Sequence, residues 1–287
     1  RTALRAAAKD LLTDNEQAML LRKATKRIDD EPWTAADLVL IDEAEAVADG
    51  VRRTYGHIVV DEAQDLSPME CRALGRRCST GSATVLGDLA QGTTPWAAPS
   101  WPALLANLGK PDTGVRELSV GYRVPRQILD YASTLLAVIA PELRPASSLR
   151  ADPGALDLTR VSAASLGGAL VTACRQACAQ PGSVAVIAAD PQAPELGRAL
   201  DQAGLAYGAP GTDAALTLVP VTLAKGLEYD HVIVVEPARI AGAEARGLQR
   251  LYVALTRAVS RLTVVHSEPL PEPLPAMAGP SAARASS

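Results

Sequence analysis

His57-Ile58-Val59-Val60-Asp61-Glu62-Ala63-Gln64-Asp65-Leu66-Ser67-Pro68-Met69-Glu70 is the stretch whose reading decides the fold. Three β-branched residues, Ile58 to Val60, predict a fully buried strand. A helix opens directly after it. Ser67 is a good N-cap, Glu70 completes a capping box, Pro68 suits the first helical position, and Leu66 can staple onto Cys71. In an open α/β sheet the chemistry sits at the carboxyl ends of the strands. Asp61 and Glu62 occupy that position. Two adjacent acids there fit one Mg²⁺ ligand and one water-orienting base of a phosphate-hydrolysing site. For a bare Asp-Glu pair a solvated strand end is the plainer reading, so the rest of the chain must decide.

At 287 residues and roughly 150 residues per domain, two domains are expected. A hydrophobic fraction of 48% supports buried cores. No apolar run approaches the ~18 residues a membrane-spanning helix needs. The net charge of −4 argues against a general electrostatic coat for nucleic acid, though not against a local groove. Cys71, Cys78, Cys174 and Cys178 contain no C-x₂-C pair, which predicts reduced thiols and a cytoplasmic protein. The start, Arg1-Thr2-Ala3-Leu4-Arg5, carries no signal-peptide pattern and no Met, and the chain is expected to be a piece of a longer one.

Residues 1–50 show apolar residues at helical spacing: Leu4, Ala7, Ala8, Leu11 and Leu12, then Ala18, Leu20, Leu21 and Ala24. Arg22, Lys23, Lys26 and Arg27 fit a solvated face better than a nucleic-acid patch. Trp33-Thr34-Ala35-Ala36-Asp37 caps a third helix running through Val47. After the helix from Pro68 a second strand, Ala83–Leu86, runs into Gly87-Asp88-Leu89-Ala90-Gln91-Gly92. Strand–helix–strand over this length predicts a right-handed parallel crossover. The Asp61/Glu62 pair and the Asp88/Gln91 turn then lie at the same sheet edge.

A third strand is expected at Val115–Val120, a helix from Pro125 through Ile139, and a linker over 141–154. A second α/β unit follows, with strands at 155–161, 184–188, 216–221, 232–235 and 262–265 and helices at 166–179, 194–203 and 245–258. From residue 267 a Pro/Ala/Ser-rich composition predicts a disordered tail to 287. Arg250 and Arg257 share one helix face. An arginine presented across a domain cleft can neutralise charge on a transferring phosphoryl group.

Asp61-Glu62-Ala63-Gln64-Asp65, Gly87-Asp88-Leu89-Ala90-Gln91, Tyr122-Arg123, Ala224-Lys225-Gly226-Leu227-Glu228 and Tyr252-Val253-Ala254-Leu255-Thr256-Arg257-Ala258 resemble, in order, the motifs of superfamily 1 helicases of the UvrD/Rep type. The resemblance implies an α/β fold of P-loop NTPase type: two RecA-like domains with parallel sheets, the first incomplete, and ATP between them. The first domain is expected over 1–113, with its preceding helices, and the second over 114–266. The resemblance also implies that Asp61 holds Mg²⁺, Glu62 activates water and Gln91 senses the γ-phosphate. Tyr122 would stack on adenine, Arg123 would reach the γ-phosphate, and Glu228 would meet the ribose beside Gly226. Arg257 would be the arginine finger. Tyr122 as a core-edge residue and Arg123 as a salt-bridge partner at the domain seam stand as the plainer alternatives.

The departures from the family pattern are as informative. The chain contains no G-x-x-x-x-G-K-[ST] loop, so the phosphate cradle is not among its residues, and the chain alone is expected to hydrolyse ATP poorly. The interval from Tyr122 to Thr222 leaves no room for the large insertion of DNA-unwinding relatives. Trp96 stands where the family carries a base-stacking aromatic, but Ala97-Ala98-Pro99-Ser100-Trp101 follows in place of an arginine-bearing sequence, so a structural role is equally open. These features most resemble the HelD group, whose members bind bacterial RNA polymerase and use ATP to release it from DNA. The partner expected from that resemblance is RNA polymerase, with DNA or RNA as a weaker one and no membrane. A UvrD/Rep-like DNA translocase and a non-catalytic module are the alternatives.

Overall fold

The computed structural model describes residues 2–22 and 25–276. Lys23, Ala24 and residues 277–287 of the expected tail lie outside the described residues. The chain divides into two compact units, Arg1–Arg52 and Arg53–Ser287. The α/β elements on both sides of residue 113 therefore share one unit.

The first unit holds α1 (Thr2–Ala7), α2 (Asp14–Leu20) and α3 (Ala35–Asp49). Thr13 and Thr34 are N-caps, each in a reciprocal capping box with Glu16 and Asp37 respectively. The Thr34 hydroxyl and amide, with Arg22 beside them, push Asp37 down to about 2. Leu38, Leu40 and Val47 of α3 are exposed.

The second unit begins with a small lobe. β1 (Ile58–Val60) leads to α4 (Pro68–Arg77) and back to β2 (Ala83–Val85), which pairs with β1 in parallel, Ile58 opposite Ala83. Ser67 Oγ accepts from the Glu70 amide at 3.2 Å, and Glu70 Oε2 accepts from the Ser67 amide at 2.7 Å, as the capping pattern predicts. α5 (Trp101–Asn107) covers one face, and Val60, Cys71, Leu104, Leu105 and Leu108 form the core there, with Leu66 against it. The reading of β1 as fully buried needs correction. Val59 is 65% exposed, because alternate strand residues face opposite sides and only one side of this two-stranded sheet is covered.

The expected third strand also changes. Only Val120–Gly121 forms one, β3, with the Ser119 carbonyl accepting the Ser147 amide at 2.8 Å just before it. α6 (Arg126–Ser133) and α7 (Leu136–Ile139) replace the single expected helix. At the break the Thr134 hydroxyl donates to the Tyr131 carbonyl at 2.8 Å, a side-chain bond that competes with the helix ladder. β3 pairs with β4 (Ser147–Ser148), which lies inside the segment expected as linker.

The larger lobe is built on β5 (Leu156–Arg160), α8 (Leu166–Cys178), β6 (Val184–Ala188), α9 (Ala193–Gln202), β7 (Leu216–Pro220), β8 (Tyr229–Val235), α10 (Pro237–Gly242), α11 (Gly247–Leu255) and β9 (Ala258–His266). The five strands lie in the order β5-β9-β8-β6-β7, all parallel. Strand alternation splits the core between two faces. Val184, Val186, Ile233 and Val235 meet Leu166, Leu170 and Cys174 of α8 and Leu196 and Leu200 of α9. Ala185, Ile187, Val232 and Val234 meet Ile128 and Leu135 on one side of α11, with Leu251 and Leu255. All three sheets among the described residues are parallel, and helices lie on the covered faces of the β1-β2 and five-stranded sheets, the α/β architecture the sequence predicts.

Residues 267–274 depart from the expected tail. Leu274 is buried and Leu270 packs beside it on the larger core. Two leucines anchor this Pro-rich segment, and Glu236 Oε1 holds the Ser267 amide at 2.9 Å.

Gly75 tests how tightly α4 meets α5. A Cβ there would lie 2.5 Å from the Leu108 carbonyl oxygen. At a free helix position Gly→Ala stabilises by about 1 kcal/mol. Gly75→Ala is expected to reverse that sign and cost about 1–3 kcal/mol through overpacking, read from the urea midpoint.

Candidate nucleotide site at the lobe seam

β1 ends in Asp61, and Glu62 follows with φ +53°, a left-handed conformation rare for a residue with a side chain. Asp61 Oδ1 accepts from the Glu62 amide at 2.8 Å and helps hold that turn. Such strain, of order 1–3 kcal/mol, is characteristic of functional sites. Gln64, fully buried, ties the turn to the neighbouring strand. Its Nε2 donates to Glu62 Oε2 at 2.6 Å, and its Oε1 accepts from the Asp88 amide at 3.1 Å, just past β2. A side chain at Gly87 would come within 2.5 Å of Gln64 Oε1, so glycine is needed there.

Asp88 caps the short turn Leu89–Gln91. Its Oδ1 accepts from the Ala90 amide at 3.0 Å and its Oδ2 from Gln91 Nε2 at 2.8 Å. With its nitrogen committed, Gln91 presents Oε1 to the larger lobe, where Arg257 NH2 donates to it at 2.9 Å. The same-edge arrangement expected of Asp61/Glu62 and Asp88/Gln91 is present.

Arg257 is 3% exposed, at the end of α11. Its remaining donors reach the carbonyls of Val253 at 3.0 Å and Leu227 at 3.3 Å. Burial, then the neighbouring Arg123 charge, pull its pKa down from the ordinary arginine value; Glu228, Glu62 and Asp88 oppose them. Arginine stays protonated through shifts of this kind.

Lys225 is the residue that sequence reasoning missed, although it stands inside a quoted motif. It lies beyond β7, and Gly226 behind it takes φ +76°, which lets the chain reverse toward β8. Its ammonium contacts Asp65 Oδ2, Glu62 Oε2 at 3.1 Å and the Gln91 carbonyl at 3.1 Å. Asp65 Oδ1 accepts the amides of Thr93 at 2.9 Å and Thr94 at 3.1 Å. Burial pushes Asp65 up, but Lys225 and the Thr94 and Thr93 amides outweigh it and hold the carboxyl below its usual range. Arg246, also missed, donates to the carbonyls of Gly92 and Ala97, both at 3.1 Å. Lys225, Arg246 and Arg257 thus tie the larger lobe to the turns of the smaller one.

Arg123 pairs with Glu228, and Tyr122 is 71% exposed, so it is not a core-edge residue. Trp96 is half exposed, and its indole N–H donates to the Asp65 carbonyl at 2.8 Å. Among the described residues no group of three or more His, Cys, Asp or Glu side chains is placed to hold a metal. One exposed carboxylate suits Mg²⁺ that takes its other ligands from water and phosphate oxygens.

Residues 215–265, which include Lys225, Gly226, Glu228 and Arg257, match the UvrD-like helicase C-terminal domain family. The C-terminal domain of a possible DNA helicase from Lactobacillus plantarum WCFS1 is 24% identical, with a TM-score of 0.43 over 53% of this chain and 91% of that one. An arterivirus nonstructural protein 10 helicase, solved with DNA, is 16% identical, with a TM-score of 0.41 over 81% of this chain and 52% of that one. The chain thus spans about half the length of the viral protein. No curated protein matches it. Among the described residues no helix is long and apolar enough to cross a membrane.

The Lys225 bridge should register in stability. Its partners keep some exposure, so Lys225→Met is expected to cost about 1–3 kcal/mol in urea unfolding at pH 7. Asp65 has a folded pKa below its unfolded value of ~3.9. Its contribution is therefore full above that value and lost as pH falls through the folded pKa. The difference between wild type and Lys225→Met should shrink below about pH 4.

Proposed function

We propose that residues 53–276 carry the hydrolytic edge of a helicase-type, ATP-driven motor, with nucleotide bound where Asp61, Glu62, Gln91 and Arg257 converge. The observation that carries this reading is the Asp88–Gln91–Arg257 relay. A buried cation from one lobe is delivered to the carboxylate edge of the other. In this reading Glu62 orients the attacking water, and Gln91 and Arg257 meet charge on the transferring phosphoryl group. Tyr122 stacks on the base, Arg123 reaches the γ-phosphate, and Gly226 and Glu228 lie at the ribose. Asp61 would hold Mg²⁺, which neutralises phosphate charge when bound.

The phosphate-cradling loop belongs to another segment in this reading. The two-stranded sheet supports that division. Two parallel strands with Val59 exposed do not make a self-sufficient layer, and further strands would complete it.

For the partner, the reading is a HelD-like motor that releases RNA polymerase from DNA. Its support is the interval 122–222, which is filled by α6 to β7 of the larger lobe with no inserted domain. The half-exposed Trp96 ring, anchored through its N–H with its faces left to stack, favours a second reading as a DNA translocase.

In the full-length protein, Glu62→Gln is expected to keep ATP binding and to slow turnover by about 10²–10⁴; unchanged turnover would leave the non-catalytic module standing. Co-purification of the full-length protein with core RNA polymerase supports the HelD-like reading. Strong ATPase stimulation by single-stranded DNA, abolished in Trp96→Ala without polymerase binding, would favour the translocase instead.

A further inference from the structure

We propose that Asp65 is a positioning residue for hydrolysis: by taking the Lys225 ammonium as hydrogen-bond donor it keeps that cation in loose contact with Glu62, the carboxylate that orients water, and stops the pair from closing fully. The inference rests on the role of Glu62 argued above and adds a residue that acts through another.

The geometry is that of one cation shared by two anions. The Lys225 ammonium donates to Asp65 Oδ2 and to the Gln91 carbonyl, and Glu62 Oε2 lies in ion-pair contact with it at 3.1 Å. The two carboxylates are not equivalent. The Asp65 side chain is 19% exposed and the Glu62 side chain 50%. The Asp65–Lys225 attraction therefore works in the lower dielectric and is the stronger of the two. Asp65 is also the better prepared anion. Thr93 and Thr94 amides and the Thr94 hydroxyl at 3.2 Å all point at Oδ1, which fixes the group and leaves Oδ2 for the ammonium. Glu62 Oε2 takes Gln64 Nε2 as well as Lys225, so Oε1 is the oxygen left for a water.

Remove the charge of Asp65 and the balance changes. Glu62 becomes the only anion within reach of a largely buried ammonium, and the pair would close. A carboxylate engaged that way loses both its orientation toward water and its capacity to accept from it. Restoring turnover would then require removing the lysine, not restoring the shape of the aspartate.

The test is steady-state ATPase of the full-length protein, with folding of each variant checked by thermal unfolding. Asp65→Asn keeps the shape and an acceptor for Thr93 and Thr94 but not the charge. It is expected to lower kcat at least about tenfold with KM within about threefold. Adding Lys225→Met to Asp65→Asn should recover at least about tenfold of kcat over the single variant. Asp65→Glu, which keeps the charge and changes the shape, should stay within a few-fold of wild type. A packing role predicts the opposite ranking of Asn and Glu and no recovery in the double variant, and either result overturns the proposal. If Asp65→Asn does not fold, a folded Asp65→Glu decides: turnover near wild type supports it, and a loss beyond about tenfold overturns it. Glu62→Gln is run in parallel. Unchanged turnover there rejects the site itself, whereas a silent Asp65 series beside a dead Glu62→Gln rejects only the role of Asp65.

Discussion

A guanidinium taken out of water must find acceptors, and most of this architecture follows from where Arg257 finds them. The side chain is nearly fully buried, and such a charge costs several kcal/mol unless its donors are satisfied. Three acceptors come from its own lobe, the carbonyls of Val253 and Leu227 and the Thr256 hydroxyl at 3.3 Å. The fourth, Gln91 Oε1, comes from the other lobe, and Asp88 fixes its amide the right way round. The parallel crossover from β1 to β2 places that turn beside Asp61 and Glu62. A packing requirement in one lobe and a sheet topology in the other therefore meet at a single hydrogen bond.

Around that bond the seam is carried by charges, with Ala90 of the smaller lobe buried in the larger core beside them. Lys225 bridges to two carboxylates and a carbonyl, and Arg246 spans two carbonyls. Such contacts are directional, and they break and re-form more readily than a packed apolar interface. Glu62 sits within them in a left-handed conformation, held by Asp61 and Gln64 on its own side and by Lys225 from across. A nucleotide-driven motor needs this combination: firm cores on either side, and between them charges whose pairing a bound phosphate can change. The indole of Trp96 hangs from the backbone carbonyl of Asp65. The indole proposed above to stack on bases and the carboxylate network thus share one residue.

Much of this could be read from residue order. The β-branched run, Ser67, Pro68 and Glu70 announced the strand and helix that present Asp61 and Glu62, because capping and strand preference are local. The five strands of the larger lobe were visible as short apolar runs in the second α/β unit. What escaped depended on long-range partners. Arg246 bonds only to backbone carbonyls, which carry no sequence signature. The importance of Lys225 depends on a reversal at Gly226 and on an aspartate 160 positions earlier. Residues 115–118 have strand-like composition but lie outside any strand, whereas Ser147–Ser148, without such composition, forms a short strand against Val120–Gly121. Leu270 and Leu274 outweighed a composition otherwise typical of an unstructured tail.

The central claim is that the seam between the two α/β lobes is a nucleotide site. The most direct measurement is the structure of the full-length protein with ADP and a metal fluoride that mimics the transferring phosphoryl group. The account predicts the fluoride between Glu62, Gln91 and Arg257, with the base against Tyr122 and the ribose beside Glu228. Nucleotide bound elsewhere, with the Gln91–Arg257 bond and the Lys225 bridge unchanged, would contradict it.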